Sequence, residues 1–381
     1  VADVQPFQGI RYNLQQVGEP SAVICPPFDV INDRSLYYRK SPYNVVRLEF
    51  GEERPEDNAQ DNRYVRAAQA MRSWLKQGIL VQDERPALYV IEHRFPHQDS
   101  LRSRWGFIAR LRLEELGAGH IRPHEKTMKK PAEDRLSLLR ACRANFSPIM
   151  GLFHDAEGRS TSLFSHLPCE QPDLVARDDC GVAYSMWSVT DKRIIAWVTE
   201  FFANRVIYIA DGHHRYETAL AYQKELRSTI HHYTGEEPFN FVIVSFFRVE
   251  DPNLVMVTPH RLVRGIRQGK LAELERSLAV HFDIKLLPPL PSLWDTAEAW
   301  LGTLGRGGRG TFGLYGLDGK QLRLLIARRG RALKTSIEAD EPPCWKELDV
   351  SFLHWVILRG MLGIDTIPKE ERCLEYARDG L

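Results

Sequence analysis

Cysteine is scarce and unpatterned in this chain: Cys25, Cys142, Cys169, Cys180, Cys344 and Cys373 stand far apart, with no Cys-x-x-Cys pair. That spacing supports neither a disulfide framework nor a thiolate metal site, and free thiols in a reducing compartment are expected. Long apolar runs are missing too. No stretch approaches the ~18 uninterrupted apolar residues of a membrane span, and the opening VADVQPFQGIRYN lacks a basic segment followed by an apolar one. A cytoplasmic protein with no membrane role is the expectation. Net charge is nearly absent, with 51 Lys plus Arg against 50 Asp plus Glu. This disfavours a dedicated nucleic-acid binder but leaves room for a local basic pocket, because charge is felt within about 10 Å. Internal repeats, low-complexity tracts and proline- or serine-rich linkers are lacking as well. What is present is 43% hydrophobic and 27% charged residues over 381 positions, enough apolar material for a buried core, which excludes wholesale disorder and fibrous structure.

Strand-like and helix-like patterns alternate, so a mixed α/β chain of the α+β class is expected. Tyr43 to Phe50 reads as a strand and Asp61 to Gln77 as a helix stopped by Gly78. Ala87 to Phe95 and Trp105 to Leu113 form the two arms of a long hairpin, and Ala132 to Asn145 a helix with Glu133 and Asp134 in its first turn. Ser147 to Phe153 and Val206 to Ala210 are strands, the latter turning directly into a helix. Phe239 to Val249 and Leu254 to Val263 look like paired strands. Beyond them lie helices at Leu271 to His281, Leu293 to Leu304 and Asp349 to Leu362, and a hairpin of Thr311 to Tyr315 with Leu322 to Ala327. A main domain over residues 1–263 and a C-terminal α+β region over 264–381 is the division expected, unless both form one integrated domain.

The densest chemistry is Ile209-Ala210-Asp211-Gly212-His213-His214-Arg215. A strand that ends in Asp-Gly and enters a helix presents backbone N–H groups and the positive end of the helix dipole, which suits phosphate or carboxylate. Arg215 is the wrong charge for that end unless an anion lies between, and a guanidinium can hold two phosphate oxygens at once. His213 and His214 add groups that titrate near neutrality. The bland alternative is that Asp211 caps the helix, Gly212 makes the turn and one histidine is buried against a sheet.

A second cluster, Arg122-Pro123-His124-Glu125-Lys126-Thr127, supplies both charge signs, an imidazole and a carboxylate suited to Mg²⁺, although a solvated loop would have the same composition. Met128 stands where His-Glu-x-x-His needs its second histidine, so that zinc motif is rejected. Secondary candidates are Asp29, after the rigid Cys25-Pro26-Pro27-Phe28, and the pair His260-Arg261. The Gly-rich run Gly305 to Gly310 is read as a flexible connection, because it is not a phosphate loop and does not lead from strand into helix. No Gly-x-Ser-x-Gly elbow exists, and no cysteine has an obvious histidine partner, which gives nucleophilic hydrolysis little support.

Taken in order, Pro26 to Val30, Asn44 to Leu48, Arg122 to Thr127, Asp134-Arg135-Leu136, Asn145 to Pro148, Ile209 to Leu220 and His260-Arg261 resemble, nearly end to end, the family catalogued as domain of unknown function 1015. Asp211 to Arg215 is also similar to the turn of the ParB and sulfiredoxin superfamily, and members similar to free-serine kinases carry a like string. That likeness implies a ParB/sulfiredoxin-like strand-turn-helix core with large additions. It implies Gly212, His213, His214 and Arg215 as nucleotide-phosphate contacts and Asp211 as a base or metal contact. His213 stands where sulfiredoxin has its reactive cysteine, so peroxiredoxin repair is disfavoured. The lack of basic excess likewise disfavours ParB-like binding of nucleic acid.

The expectation that combines these readings is an enzyme of phosphoryl transfer or phosphate-ester hydrolysis, acting on a nucleotide such as ATP or ADP or on a small phosphorylated metabolite. The free-serine-kinase likeness favours serine or phosphoserine. His124, Glu125, Asp211 and His214 are the catalytic candidates. Arg122, Lys126, Gly212, His213 and Arg215 would bind phosphate, and Glu125 and Asp211 would hold Mg²⁺. The competing expectations are a non-catalytic nucleotide or metabolite sensor, a ParB-like nucleic-acid binder, and a Zn²⁺ or Mn²⁺ hydrolase built on His124, His213 and His214. Oligomeric state is left open.

Overall fold

The computed structural model describes residues 2–31, 33–97, 100–117, 119–123, 129–165, 167–255, 260–287, 308–317, 321–328, 348–364 and 374–377. Helices and strands alternate along it, and the class is α+β. The chain divides into two compact units, Val1–Val255 and Met256–Leu381.

The first unit is organised by a nine-stranded sheet. Its strands, in chain order, are β1 (Val4–Gln5), β2 (Leu88–His97), β3 (Ser100–Arg112), β4 (Ile121–Arg122), β5 (Ile149–Phe153), β6 (Leu174–Arg177), β7 (Ala183–Val189), β8 (Ile207–Asp211) and β9 (Phe241–Arg248). They lie in the order β4-β8-β5-β9-β3-β2-β7-β6, with β1 added alongside β3. Two neighbouring pairs are parallel, β4 with β8 and β5 with β9, and the others are antiparallel. Alternation decides which face is dry. Val242, Val244 and Phe246 of β9 join Phe107, Ala109 and Leu111 of β3 and Ile207 and Ile209 of β8 in one core, which also takes in Val198, Phe202, Tyr216, Ala219 and Leu220. The last five belong to helices α3 (Lys192–Phe202) and α4 (His213–Arg227), so both cover that face.

Helix α1 (Arg63–Lys76) begins where Asn62 accepts from the N–H groups of Tyr64 and Val65, and it is followed by Gly78 at φ +71°. Helix α2 (Lys129–Cys142) starts three residues earlier than the sequence suggests. Pro131 therefore falls inside its first turn, where a missing N–H is tolerated, and Glu133 and Asp134 lie beyond that turn.

Two expectations are corrected. The run Tyr43 to Phe50 is not a strand but a bend into a short helix, Val46–Glu49. The cause is Asn44, fully buried, whose Oδ1 accepts from Val46 N at 3.0 Å while its Nδ2 donates to Ala22 O and Ile24 O. A side chain that satisfies three backbone groups overrides the strand preference of the valines. The segment after Val249 does not pair with β9 either. Strand β9 spends one edge on β3 and the other on β5, and no edge is left for a hairpin partner.

In the second unit, His260–Val263 pairs antiparallel with Leu374–Ala377. Phe282–Leu286, Leu322–Ala327 and Thr311–Tyr315 form a three-stranded antiparallel sheet. Its core gathers Leu274 and Leu278 from the helix Gln268–His281, Phe282 and Leu325 from the sheet, and Phe352, Val356 and Ile357 from Asp349–Phe352 and the π-helix Leu353–Met361. The expected helix at Leu293 to Leu304 and residues 305–307 of the Gly-rich run lie outside the described residues.

Candidate functional site

The strands that lead into the two chemically rich segments lie side by side. Strand β4 runs parallel to β8, with Ile121 opposite Ile207 and Arg122 opposite Tyr208. Both strands point the same way, so the chain beyond Arg122 and the turn at Asp211-Gly212 issue from the same end of the sheet. Arg122 is exposed and donates to Gly117 O at 2.8 Å. His124, Glu125 and Lys126 lie outside the described residues. The chain that follows them becomes α2, which packs against α4 and is tied to it by Arg140 Nε donating to Glu225 Oε2 at 2.9 Å.

At the turn itself Gly212 adopts φ +89°, a left-handed conformation that admits an abrupt passage from strand to helix. A Cβ here would meet the Arg215 guanidinium at 2.9 Å, because that side chain folds back across the glycine. Arg215 Nη2 donates to Asp211 Oδ2 at 2.5 Å, and Nη1 donates to the carbonyl of Pro148, just before β5. The arginine is 11% exposed and its aspartate 54%. Asp211 therefore braces Arg215, and the N-cap position of α4 is Gly212, which has no side chain with which to cap the helix. His213 is buried beneath this turn. His214 is half-buried, and its Nδ1 is shut off from solvent without a hydrogen-bond partner. A buried nitrogen left unpaired next to an uncapped helix end calls for a functional explanation.

A layer of charge that sequence reasoning missed lies behind the turn. Glu49, 5% exposed, accepts from Arg135 Nη1 at 3.3 Å and from Ser147 Oγ at 3.0 Å. Arg135, 6% exposed, also donates to Glu49 O at 2.9 Å and lies 4.0 Å from the centroid of the Phe28 ring. Its other partner is Asp134, held by Arg135 Nε at 2.7 Å, by Tyr64 OH at 2.8 Å and by Arg63. Burial pushes the Cys25 thiol up to about 12, with the charge of Glu49 adding to it. The Cys142 thiol rises to about 11, chiefly through burial. Both are poor nucleophiles at neutral pH. The trace of this layer in the sequence is one acid at the end of a largely apolar run, Val45-Val46-Arg47-Leu48-Glu49.

Other candidates are dispersed. Asp29 lies in the one-turn 3-10 helix Phe28–Val30. His260 and Arg261 belong to the second unit. Among the described residues no three His, Cys, Asp or Glu side chains are grouped to hold a metal ion, and no helix is long and apolar enough to cross a membrane. The carboxylate described at the turn, Asp211, offers one oxygen beyond the one held by Arg215. That fits a Mg²⁺ ion brought in on phosphate oxygens, which needs only one or two protein carboxylates, and does not fit a resident ion caged by protein.

A family model described as "Protein of unknown function (DUF1015)" matches residues 4–351. No curated protein and no solved structure matches the chain.

Proposed function

The chain belongs to the DUF1015 family, whose description carries no activity, and we propose from the site alone that it is a phosphoryl-transfer or phosphate-ester-hydrolysing enzyme acting on a nucleotide or small phosphorylated metabolite. The observation that carries this reading is the N-terminus of α4: fifteen residues of helix open at Gly212, which has no side chain to cap them, while Asp211 is turned to Arg215. Uncapped N–H groups and the helix dipole attract a multiply charged oxyanion. The unpaired Nδ1 of His214 supplies a further contact or a proton relay. Arg122, leaving the adjacent parallel strand, adds positive charge on the same side. In this reading Gly212 and His213 seat the phosphate, Arg215 fixes the turn, and His214 serves as acid or base. Asp211, with Glu125, would meet Mg²⁺, which when bound neutralises phosphate charge. His124 and Lys126, which follow Arg122 in the chain, are assigned to the transferred group by their charge. The likeness of Asp211 to Arg215 to free-serine kinases favours ATP or ADP as donor and serine as acceptor.

A sensor is the second reading, and the Asp211–Arg215 pair favours it: an aspartate oxygen held by arginine is not open to a metal ion or an acceptor hydroxyl. A phosphorus NMR time course with Mg²⁺ and ATP or ADP, and separately with phosphoserine, with and without serine, separates the two. A new phosphate resonance that vanishes in Arg215→Ala is the expected result. Broadening on binding without any new resonance would establish the sensor, and neither would sink the anion site.

A further inference from the structure

Segments far apart in sequence meet in one unbroken chain of contacts behind the anion turn. Phe28 lies under Arg135, Arg135 holds Glu49, Glu49 accepts from Ser147, and the next residue, Pro148, gives its carbonyl to Arg215, which braces Asp211 and covers Gly212. Each link is short-range, and Arg135 and Glu49 are both more than nine-tenths buried. A buried ion pair of this kind is a poor source of net stability, since desolvation cancels most of the attraction; its use lies in fixing one geometry.

We propose that Glu49 and Arg135 are positioning residues for the anion turn, acting through Ser147 and Pro148 to hold Arg215 where it keeps the N-terminus of α4 open. The proposal rests on the anion-site reading for its ligand consequence, though the mechanical link stands apart from it. Phe28 backs the guanidinium of Arg135 on one side, and Asp134 holds its Nε and Nη2 at 2.7 and 2.5 Å, leaving Nη1 to reach Glu49. Glu49 in turn is carried on the helix that Asn44 starts. Ser147, through its hydroxyl on Glu49, joins this layer to the loop before β5. It touches no group assigned to ligand binding.

The test uses the full chain with Ser147→Ala, which removes the hydroxyl link and leaves the Glu49–Arg135 pair intact, and Ser147→Thr, which keeps a hydroxyl. Ser137→Ala is the control, because that hydroxyl donates to Glu133 O within α2 in an exposed hydrogen bond. Two readouts are taken: the side-chain Nε–H resonance of Arg215 by NMR, and orthophosphate affinity by calorimetry. Ser147→Ala should displace the Arg215 resonance and weaken orthophosphate at least fivefold. Ser147→Thr should restore both to within twofold of the parent, and Ser137→Ala should change neither. An Arg215 resonance unmoved in Ser147→Ala overturns the proposal whatever the affinity does. If the parent protein binds no orthophosphate while the resonance moves as stated, the positioning link holds and it is the anion-site reading that fails. A loss in Ser147→Ala that Ser147→Thr does not rescue would mean general loosening of the loop, and would also overturn it.

Discussion

Gly212→Ala probes the turn most directly. At φ +89° an alanine pays a left-handed strain of about 1 kcal/mol. Its Cβ would also stand 2.9 Å from Arg215 Cζ and Nε, so the guanidinium must move. Because that group is the far end of a flexible side chain, relief is available, but it sacrifices the donation to Pro148 O and the pair with Asp211. Each is worth about 1 kcal/mol, the second less because Asp211 is half exposed. The total is about 2–3 kcal/mol. Gly78→Ala provides the comparison: its φ is +71°, no atom lies within 4 Å of the added Cβ, and only the strain of about 1 kcal/mol applies. Amide hydrogen exchange of β5 and β9, read by mass spectrometry, reports the opening free energy of the first unit for both variants. Equal losses in the two would refute the contact argument, since they would mean that Arg215 gives way at no cost.

Asp211→Asn should tighten orthophosphate severalfold if Arg215 is held back by its aspartate, and should lower any phosphoryl turnover; weaker binding by calorimetry would show that Asp211 organises the site and does not compete for it. Asn44→Ala should cost about 3 kcal/mol, since the three hydrogen bonds of this fully buried side chain, to Ala22 O, Ile24 O and Val46 N, are lost, and a change below about 1 kcal/mol in the same exchange experiment would contradict the assigned role. Burial, with Arg104 adding to it, pushes the His93 imidazole down to about 3. The unfolded chain takes up a proton near pH 6.5 that the folded one refuses, so stability should fall as pH drops from about 6.5 towards 3. In His93→Phe that slope should lessen by about one proton, and urea midpoints at pH 5 and 7 that shift equally in both proteins would refute it.

Elements governed by local pattern were legible in the sequence, and those governed by distant partners were not. Asp61 to Gln77 reads as a helix because its apolar residues fall on one face and Gly78 stops it, and the structure places α1 there. The hairpin arms are two strand-like runs about a polar tip and appear, extended, as β2 and β3. Val45-Val46-Arg47-Leu48 reads equally well as a strand, and only the bonds of Asn44 to Ala22 and Ile24, some twenty residues earlier, decide otherwise. The Asp211 to Arg215 turn was legible as strand-turn-helix, yet the sequence suggested that an anion was needed to explain Arg215, whereas Asp211 already offsets its charge. Glu49 was invisible because a buried acid at the end of a largely apolar run declares its role only through partners 86 and 98 residues away.

That charge accounting has a consequence for how the turn would bind. Along the connected network Arg63, Arg135 and Arg215 face Asp134, Glu49 and Asp211, so the buried layer is close to neutral before any ligand arrives. An incoming oxyanion then finds attraction from the helix end and from Arg122, and it can gain Arg215 only by displacing a carboxylate. Of the three acids Asp211 alone is more than half exposed, whereas Glu49 and Asp134 are enclosed by their arginines. Exchange at the turn therefore falls on Asp211, and a carboxylate displaced by phosphate at that point is freed to accept a proton or meet a cation when the ligand is bound.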